Sequence, residues 1–243
     1  MPGLDVGRAE SPLDRVNRQK RAAAEAAALL VEDGMVVGLG TGSTAEFFIR
    51  ALGERVAGGL AIVAVPTSRW AESLARSCGI PLTDLQSSGR IDLTVDGADE
   101  IERETLAALK GRGGAMVREK LVAVAAQRVV IIADETKLVE RLGFSHPVPV
   151  EVVPFGWLVP AIELHRLGGQ ARLRTIEPGT TPFNSDNGNL VLDVAFGPID
   201  RPEELARSIK AITGVVDHGL FIDIADSAII GTAEGVRTLM PAS

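Results

Sequence analysis

From Leu13 to Val31 the chain is alanine-rich and helix-favouring, and Asp33-Gly34 supplies a stop. Met35 to Leu39 follows as a short apolar run that predicts a buried strand, opens into a glycine-rich loop and leads to a helical pattern over Ala45 to Val56. The same strand, loop and helix order recurs. Leu60 to Val65, Pro66-Thr67-Ser68 and a helical run to Ser77 closed by Gly79 form the next unit. Ile91 to Val95 opens another, and Val129 to Ala133 one more, ending at Asp134-Glu135-Thr136-Lys137. Strands that are apolar throughout and alternate with helices predict an α/β fold: a Rossmann-like parallel sheet with helices on both faces. Ligands of such sheets sit outside the carboxyl ends of the strands, at a topological switch point. Each polar cluster in this part of the chain falls at such an end.

Beyond Gly143 the pattern changes. His146–Val153, Gln170–Ile176, Asn189–Phe196 and Val215–Ile222 predict strands, with helices over Trp157–Leu167 and Arg201–Ile212. That βαββαβ order predicts a smaller ferredoxin-like α+β domain over 143–224, with 1–142 and 225–243 forming the α/β domain. The final piece is expected to return to the first domain as a strand over Ala228–Gly231, then a turn and helix over Thr232–Leu239. Residues Met1 to Pro12 lack periodicity and are expected to form a loose leader.

At 243 residues and 46% hydrophobic, the chain can bury a real core. It has no long uncharged apolar run and no basic-then-apolar start, so no membrane association is expected, and a cytoplasmic protein is. A net charge of −7 without a basic cluster argues against nucleic acid, as does the lack of tyrosine with only two tryptophans to form a base-stacking platform. Cys78 is alone, and with His146, His165 and His218 it makes no zinc-binding spacing.

Chemistry concentrates in a few places. Gly38-Leu-Gly40-Thr41-Gly42-Ser43-Thr44 joins a strand to a helix start; residue 43 is Ser, so it is not a dinucleotide fingerprint, and it lacks the lysine of a Walker loop. It either cradles a phosphate or other anion on unpaired N–H groups, or simply caps the helix. Asp96 and Asp99, separated by Gly97 and Ala98, either cap a turn or bind sugar hydroxyls and transfer protons. Lys110, directly before Gly111-Arg112-Gly113-Gly114, is either solvated or an ammonium aimed into a cleft to stabilise an oxyanion. Glu119 suits a helix's first turn. Its helical neighbours Val122, Ala123 and Ala126 form an apolar face, so the carboxylate should be partly desolvated, with a raised pKa suited to proton abstraction. Lys137, after Asp134, is a candidate second anchor for an anion.

Together these motifs resemble the type A ribose-5-phosphate isomerase family. The resemblance rests on Gly-Leu-Gly-Thr-Gly-Ser-Thr (38–44), Asp-Gly-Ala-Asp-Glu (96–100), Lys-Gly-Arg-Gly-Gly-Ala (110–115), Arg-Glu-Lys (118–120) and Ala-Asp-Glu-Thr-Lys (133–137). It continues through Pro-Val-Glu-Val-Val-Pro (149–154), Ser-Asp-Asn-Gly-Asn (185–189) and Gly-Leu-Phe (219–221), leaving out only the first dozen residues. It implies interconversion of ribose 5-phosphate and ribulose 5-phosphate in the pentose phosphate pathway, without metal or cofactor. Glu119 matches the family's proton-transferring glutamate, and Asp96, Asp99 and Lys110 its other catalytic residues. Thr41, Gly42, Ser43 and Thr44, then Asp96, Gly97, Ala98 and Asp99, then Lys110, Gly111, Arg112 and Gly113, and Lys137, match its substrate-contacting segments. Arg112 stands where many members have glycine. Asp96 is expected to open the furanose ring, Glu119 to move the proton through a cis-enediolate, and Lys110 to stabilise it. The family's small domain lies in its subunit interface, which implies a homodimer or homotetramer. Two rival readings are a non-catalytic sugar-phosphate sensor and a related sugar-phosphate deaminase or CoA transferase. A deaminase needs histidine-assisted ring opening, and no histidine lies in the motif region.

Overall fold

The computed structural model describes residues 10–242. Helix α1 (Pro12–Ala28) begins where the Ser11 hydroxyl accepts a hydrogen bond from the Asp14 N–H, with Pro12 in the first turn. Of the leader expected over 1–12, residues 1–9 lie outside the described residues, while Ser11 and Pro12 already belong to the helix start. There follow β1 (Val36–Leu39), α2 (Ser43–Ala57), β2 (Val63–Pro66), α3 (Arg69–Ser77) and the single turn α4 (Leu85–Ser88). Next come β3 (Leu93–Gly97), β4 (Glu100–Glu102), β5 (Ala108–Leu109), α5 (Met116–Val124) and β6 (Val129–Asp134); a 3-10 turn, Glu135–Lys137, then leads into β7 (Leu138–Val139). The remainder is β8 (Val148–Val152), α6 (Leu158–Arg166), β9 (Gln170–Leu173), β10 (Leu190–Ala195), α7 (Pro202–Lys210), β11 (Val215–His218), β12 (Leu220–Phe221), β13 (Ser227–Thr232) and β14 (Gly235–Leu239).

The main sheet has the order β14-β13-β6-β3-β1-β2, parallel except for β14. Its central strands β1, β3, β6 and β13 are buried almost throughout because both faces are covered. In β6, Val130 and Ile132 pack with Ala23, Phe48 and Leu52 of α1 and α2, while Val129, Ile131 and Ala133 pack with Met116 and Ala123 of α5. The chain steps outward from β1 to β2, then crosses back so that β3 lies on the other side of β1. The switch point therefore lies between the carboxyl ends of β1 and β3.

The second sheet, β11-β8-β10-β9, is antiparallel throughout and carries α6 and α7, in the expected βαββαβ order. Its apolar interior joins Val148, Val150 and Val152 to Leu164, Leu192 and Ile209.

Two expectations are corrected. The segment expected as turn and helix over 232–239 is a turn and a strand: β14 pairs antiparallel with β13, since Gly235 at φ 132° closes a hairpin turn and β-branched Val236 and Thr238 favour extended backbone. The strand expected over 215–222 is divided between sheets. His218 ends β11, and β12 pairs with β5 in a small third sheet, β12-β5-β4-β7. The division falls at Gly219, where any Cβ would run into the Lys110 carbonyl and lie 2.7 Å from Pro149 Cδ.

Candidate active site

The loop after β1 reaches across the switch point to the end of β3. Gly40 N–H donates to Val95 O (2.9 Å), and a Cβ at Gly40 would overlap the Asp96 carboxylate, so only glycine permits this approach. Gly42, at φ 113°, precedes α2 without any side-chain cap, which leaves the first N–H groups of the helix free for an anion. Thr41, Ser43 and Thr44 line the cavity here. The Thr41 hydroxyl is committed to Thr67 (2.8 Å) and Ser68 (2.7 Å), and its N–H to Asp96, so Thr41 shapes the wall and the free donors here come from the residues after Gly42.

At the end of β3, Asp96 is buried. Its Oδ1 accepts from the N–H groups of Thr41 (3.0 Å) and Gly97 (2.7 Å), and its Oδ2 lies 3.0 Å from Lys110 Nζ. Lys110 follows β5 and turns inward, only 3% exposed, donating to Gly97 O at 2.5 Å and standing 3.3 Å from Glu119 Oε2. Glu119 comes from the first turn of α5, whose buried face also carries Val122 and Ala123. Glu119 Oε2 has no aligned hydrogen bond despite its closeness to the ammonium, so a buried lone pair remains available.

The electrostatics follow from two carboxylates sharing one buried cation. Burial raises Glu119 to about 8, with Lys110 pulling down and Asp96 pushing up. Burial likewise raises Asp96, against Lys110 and the two backbone donors. Burial acts to lower Lys110, but the charges of Asp96 and Glu119 outweigh it and hold the ammonium above its ordinary value. Lys110 is therefore a permanent cation, and Glu119 the group poised near neutrality.

All of this bounds a cavity of about 330 Å³. Its walls gather, from separate elements, the Thr41–Thr44 loop, Gly97, Ala98 and Asp99, Lys110 to Gly113, Glu119 and Lys137. Asp96 stands behind Lys110 and is not part of the wall. Asp99 is, and its Oδ2 accepts from the Arg112 N–H (3.0 Å), so Arg112 is compatible with the glycine turn. Lys137 is carried on the 3-10 turn that Asp134 caps. Reasoning from sequence missed Lys20: it lines the cavity from α1 and donates to Ser43 Oγ at 2.9 Å. The available signal was its place three and four residues before buried Ala23 and Ala24, on the inward stripe of the helix. None of the three histidines lines this cavity. Among the described residues no cluster of three or more His, Cys, Asp or Glu side chains could hold a metal ion, and no helix is long and apolar enough to cross a membrane.

Residues 63–235 match the family model described as ribose 5-phosphate isomerase A (phosphoriboisomerase A). The chain is 58% identical to the ribose-5-phosphate isomerase A of Thermomicrobium roseum over 222 residues, 91% of this chain and 93% of that protein. It is 51% identical to that of Gluconobacter oxydans over 227 residues, 93% and 98% of the two chains. Among solved structures, ribose 5-phosphate isomerase A from Methanocaldococcus jannaschii superposes with TM-score 0.87 at 44% identity, covering 91% of this chain and 97% of that one. A D-ribose-5-phosphate isomerase in complex with phospho-erythronic acid gives TM-score 0.89 at 42% identity, covering 93% and 99%.

Proposed function

Since the chain belongs to the ribose 5-phosphate isomerase A family and is an aldose–ketose isomerase of ribose 5-phosphate and ribulose 5-phosphate, we propose that Glu119 is the base that carries the proton between C2 and C1. The observation that supports this is the buried Lys110 ammonium between Asp96 and Glu119, at one end of a cavity whose other donors suit a phosphate.

In this reading the free N–H groups at the start of α2, with Ser43, Thr44, Lys20 and Lys137, hold the phosphate and bring the reacting carbons to Glu119. Ring opening, which the sequence alone gave to Asp96, goes to Asp99, because both Asp96 oxygens are already engaged and Asp99 stands on the cavity wall. Asp96 positions Lys110. Glu119 takes the C2 proton of the open aldose, the C1 carbonyl becomes the oxyanion of a cis-enediolate, and Lys110 stabilises that charge. The O2 proton passes to O1 and Glu119 returns its proton to C1. A base near pKa 8 is strong and still ionised in useful fraction at neutral pH. Phospho-erythronic acid, present in the related complex, carries a planar carboxylate with charge spread over two oxygens, as an enediolate does.

We further place this reaction in the cytoplasmic pentose phosphate pathway. The 143–224 unit is taken as a separate domain and as the interface of a homodimer or homotetramer, a reading supported by exposed Phe155, Leu158, Val159 and Ile162 around α6. Mass in solution tests it. Family membership and three histidines outside the cavity leave the sensor, deaminase and transferase readings without support. The activity is tested by following ribulose 5-phosphate formation from ribose 5-phosphate. Glu119→Gln should lower kcat by about a hundredfold to ten-thousandfold; near-normal turnover would overturn the assignment.

A further inference from the structure

Glu119 is flanked in sequence by two cations, and each is bound to a different segment of the smaller α+β unit, Arg118 to the 185–189 turn and Lys120 to the end of β11. Arg118 donates through Nε to Asn187 Oδ1 (2.8 Å) and through Nη2 to Asp186 O (2.8 Å). Lys120 donates to Asp217 Oδ1 (2.7 Å) and His218 O (2.7 Å). Residues on either side of Glu119 are about 200° apart around a helix, so the two attachments grip α5 from opposite sides.

Both anchors are themselves held by further contacts. The 185–189 turn is held from within by buried Glu151, whose Oε1 accepts from Ser185 Oγ (2.9 Å), Asn187 Nδ2 (3.1 Å) and Asn189 Nδ2 (2.8 Å); Asp186 also accepts from the Arg69 N–H at 2.7 Å. The 217–221 segment backs directly on Lys110, whose N–H donates to Gly219 O (2.8 Å). The Phe221 ring lies 5.3 Å from the Lys110 ammonium and 4.9 Å from that of Lys120. Asp217, though half-buried, is held at about 2 by Lys120, so this anchor stays charged.

Helix α5 has only nine residues, and Ala115 at its N-cap supplies no side-chain hydrogen bond. Its buried face of Met116, Val122 and Ala123 seats it on the sheet, and the Arg118 and Lys120 bonds add a fixed point on either side of Glu119; the helix's rotation about its own axis sets where the Glu119 carboxylate stands relative to Lys110. We propose that Arg118 and Lys120 are positioning residues: they lock α5 to the α+β unit and so set the Glu119–Lys110 geometry, giving that unit a part in catalysis as well as in assembly.

This inference rests on Glu119 being the base, and the test separates the two. The full-length chain is compared with Lys120→Met, Lys120→Arg and Glu119→Gln for kcat, KM for ribose 5-phosphate, and competitive inhibition by inorganic phosphate. Displacing a reacting group by about 1 Å costs about a hundredfold, so Lys120→Met should lose tenfold to a hundredfold in kcat. The phosphate grip lies on other elements, so KM and phosphate inhibition should stay within about twofold. Lys120→Arg, which keeps donors for Asp217 and His218 O, should recover most of the loss. If Lys120→Met has wild-type kcat while Glu119→Gln is inactive, the positioning role is overturned and the base stands. If Glu119→Gln retains turnover, both fall. A parallel loss of kcat, KM and phosphate binding overturns the positioning role in favour of a structural one. Should Lys120→Met lack a cooperative melt, Arg118→Met is judged by the same criteria.

Discussion

Replacing Glu119 with glutamine should make the protein inactive yet more stable in alkaline solution. Burial, opposed by Lys110, raises the folded-state pKa to about 8 from an ordinary value of 4.5. The folded state thus holds this proton more tightly than the unfolded chain does. Its contribution to stability is fully present below about pH 4.5 and is lost as pH rises through about 8. At about 1.4 kcal/mol per pKa unit, the loss amounts to about 4 to 5 kcal/mol for a group that is almost wholly buried. Glutamine keeps the neutral shape and never ionises. The stability difference between variant and wild type should therefore move in favour of the variant by up to that amount between about pH 5 and about pH 9. Urea unfolding at fixed protein concentration, followed by far-UV circular dichroism across that range, measures it. A difference constant to within about 1 kcal/mol would show that Glu119 ionises as an ordinary surface carboxylate does, and would refute the argument from burial. The kinetic counterpart is that wild-type kcat/KM should rise with pH through about 8, as the free enzyme's base loses its proton.

Three further outcomes follow from the same geometry. Lys20→Met should raise KM for ribose 5-phosphate by about tenfold to a hundredfold, the loss of a charge-assisted hydrogen bond worth about 1.5–3 kcal/mol, with kcat little changed; a fall in kcat at constant KM would instead place Lys20 at the chemistry. Gly40→Ala should cost about 1–3 kcal/mol of stability and most of the activity, because its Cβ would lie 2.5 Å from Asp96 Cα and overlap the carboxylate that holds Lys110; thermal unfolding and the isomerase assay read both. Lys110→Met leaves two buried carboxylates without their cation, and breaking such a set costs about 3–5 kcal/mol, measurable by urea denaturation at neutral pH.

Much of the site was legible in the chain because its parts are local. An apolar run ending in Asp-Gly-Ala-Asp, a glycine loop opening a helix and a glutamate on an apolar helical face each declare themselves within ten residues or so. Hence the cavity walls at Thr41–Thr44, Asp99, Lys110–Gly113, Glu119 and Lys137 could be named in advance. Lys20 could not. Its partner Ser43 is 23 residues away, and only the packing of α1 against α2 brings them together. The two-residue strands β5, β7 and β12 are too short to carry any periodicity, and the hairpin β13–β14 exists because an edge of the sheet was open to it.

What the sequence determined by itself is the type of most of the longer strands and helices, which of their faces are apolar and which ends carry polar groups. Backbone preference and side-chain period are properties of neighbouring residues. What the tertiary structure decided is the order of the strands, and with it the switch point between β1 and β3 where the cavity opens. It also decided the difference between two aspartates three residues apart. Asp96 is enclosed by Thr41, Gly97 and Lys110, whereas Asp99 faces the cavity. Neither fact is local. Strand order and enclosure depend on which distant segments find one another, and a charge's pKa depends on the water and the partners that this packing leaves to it.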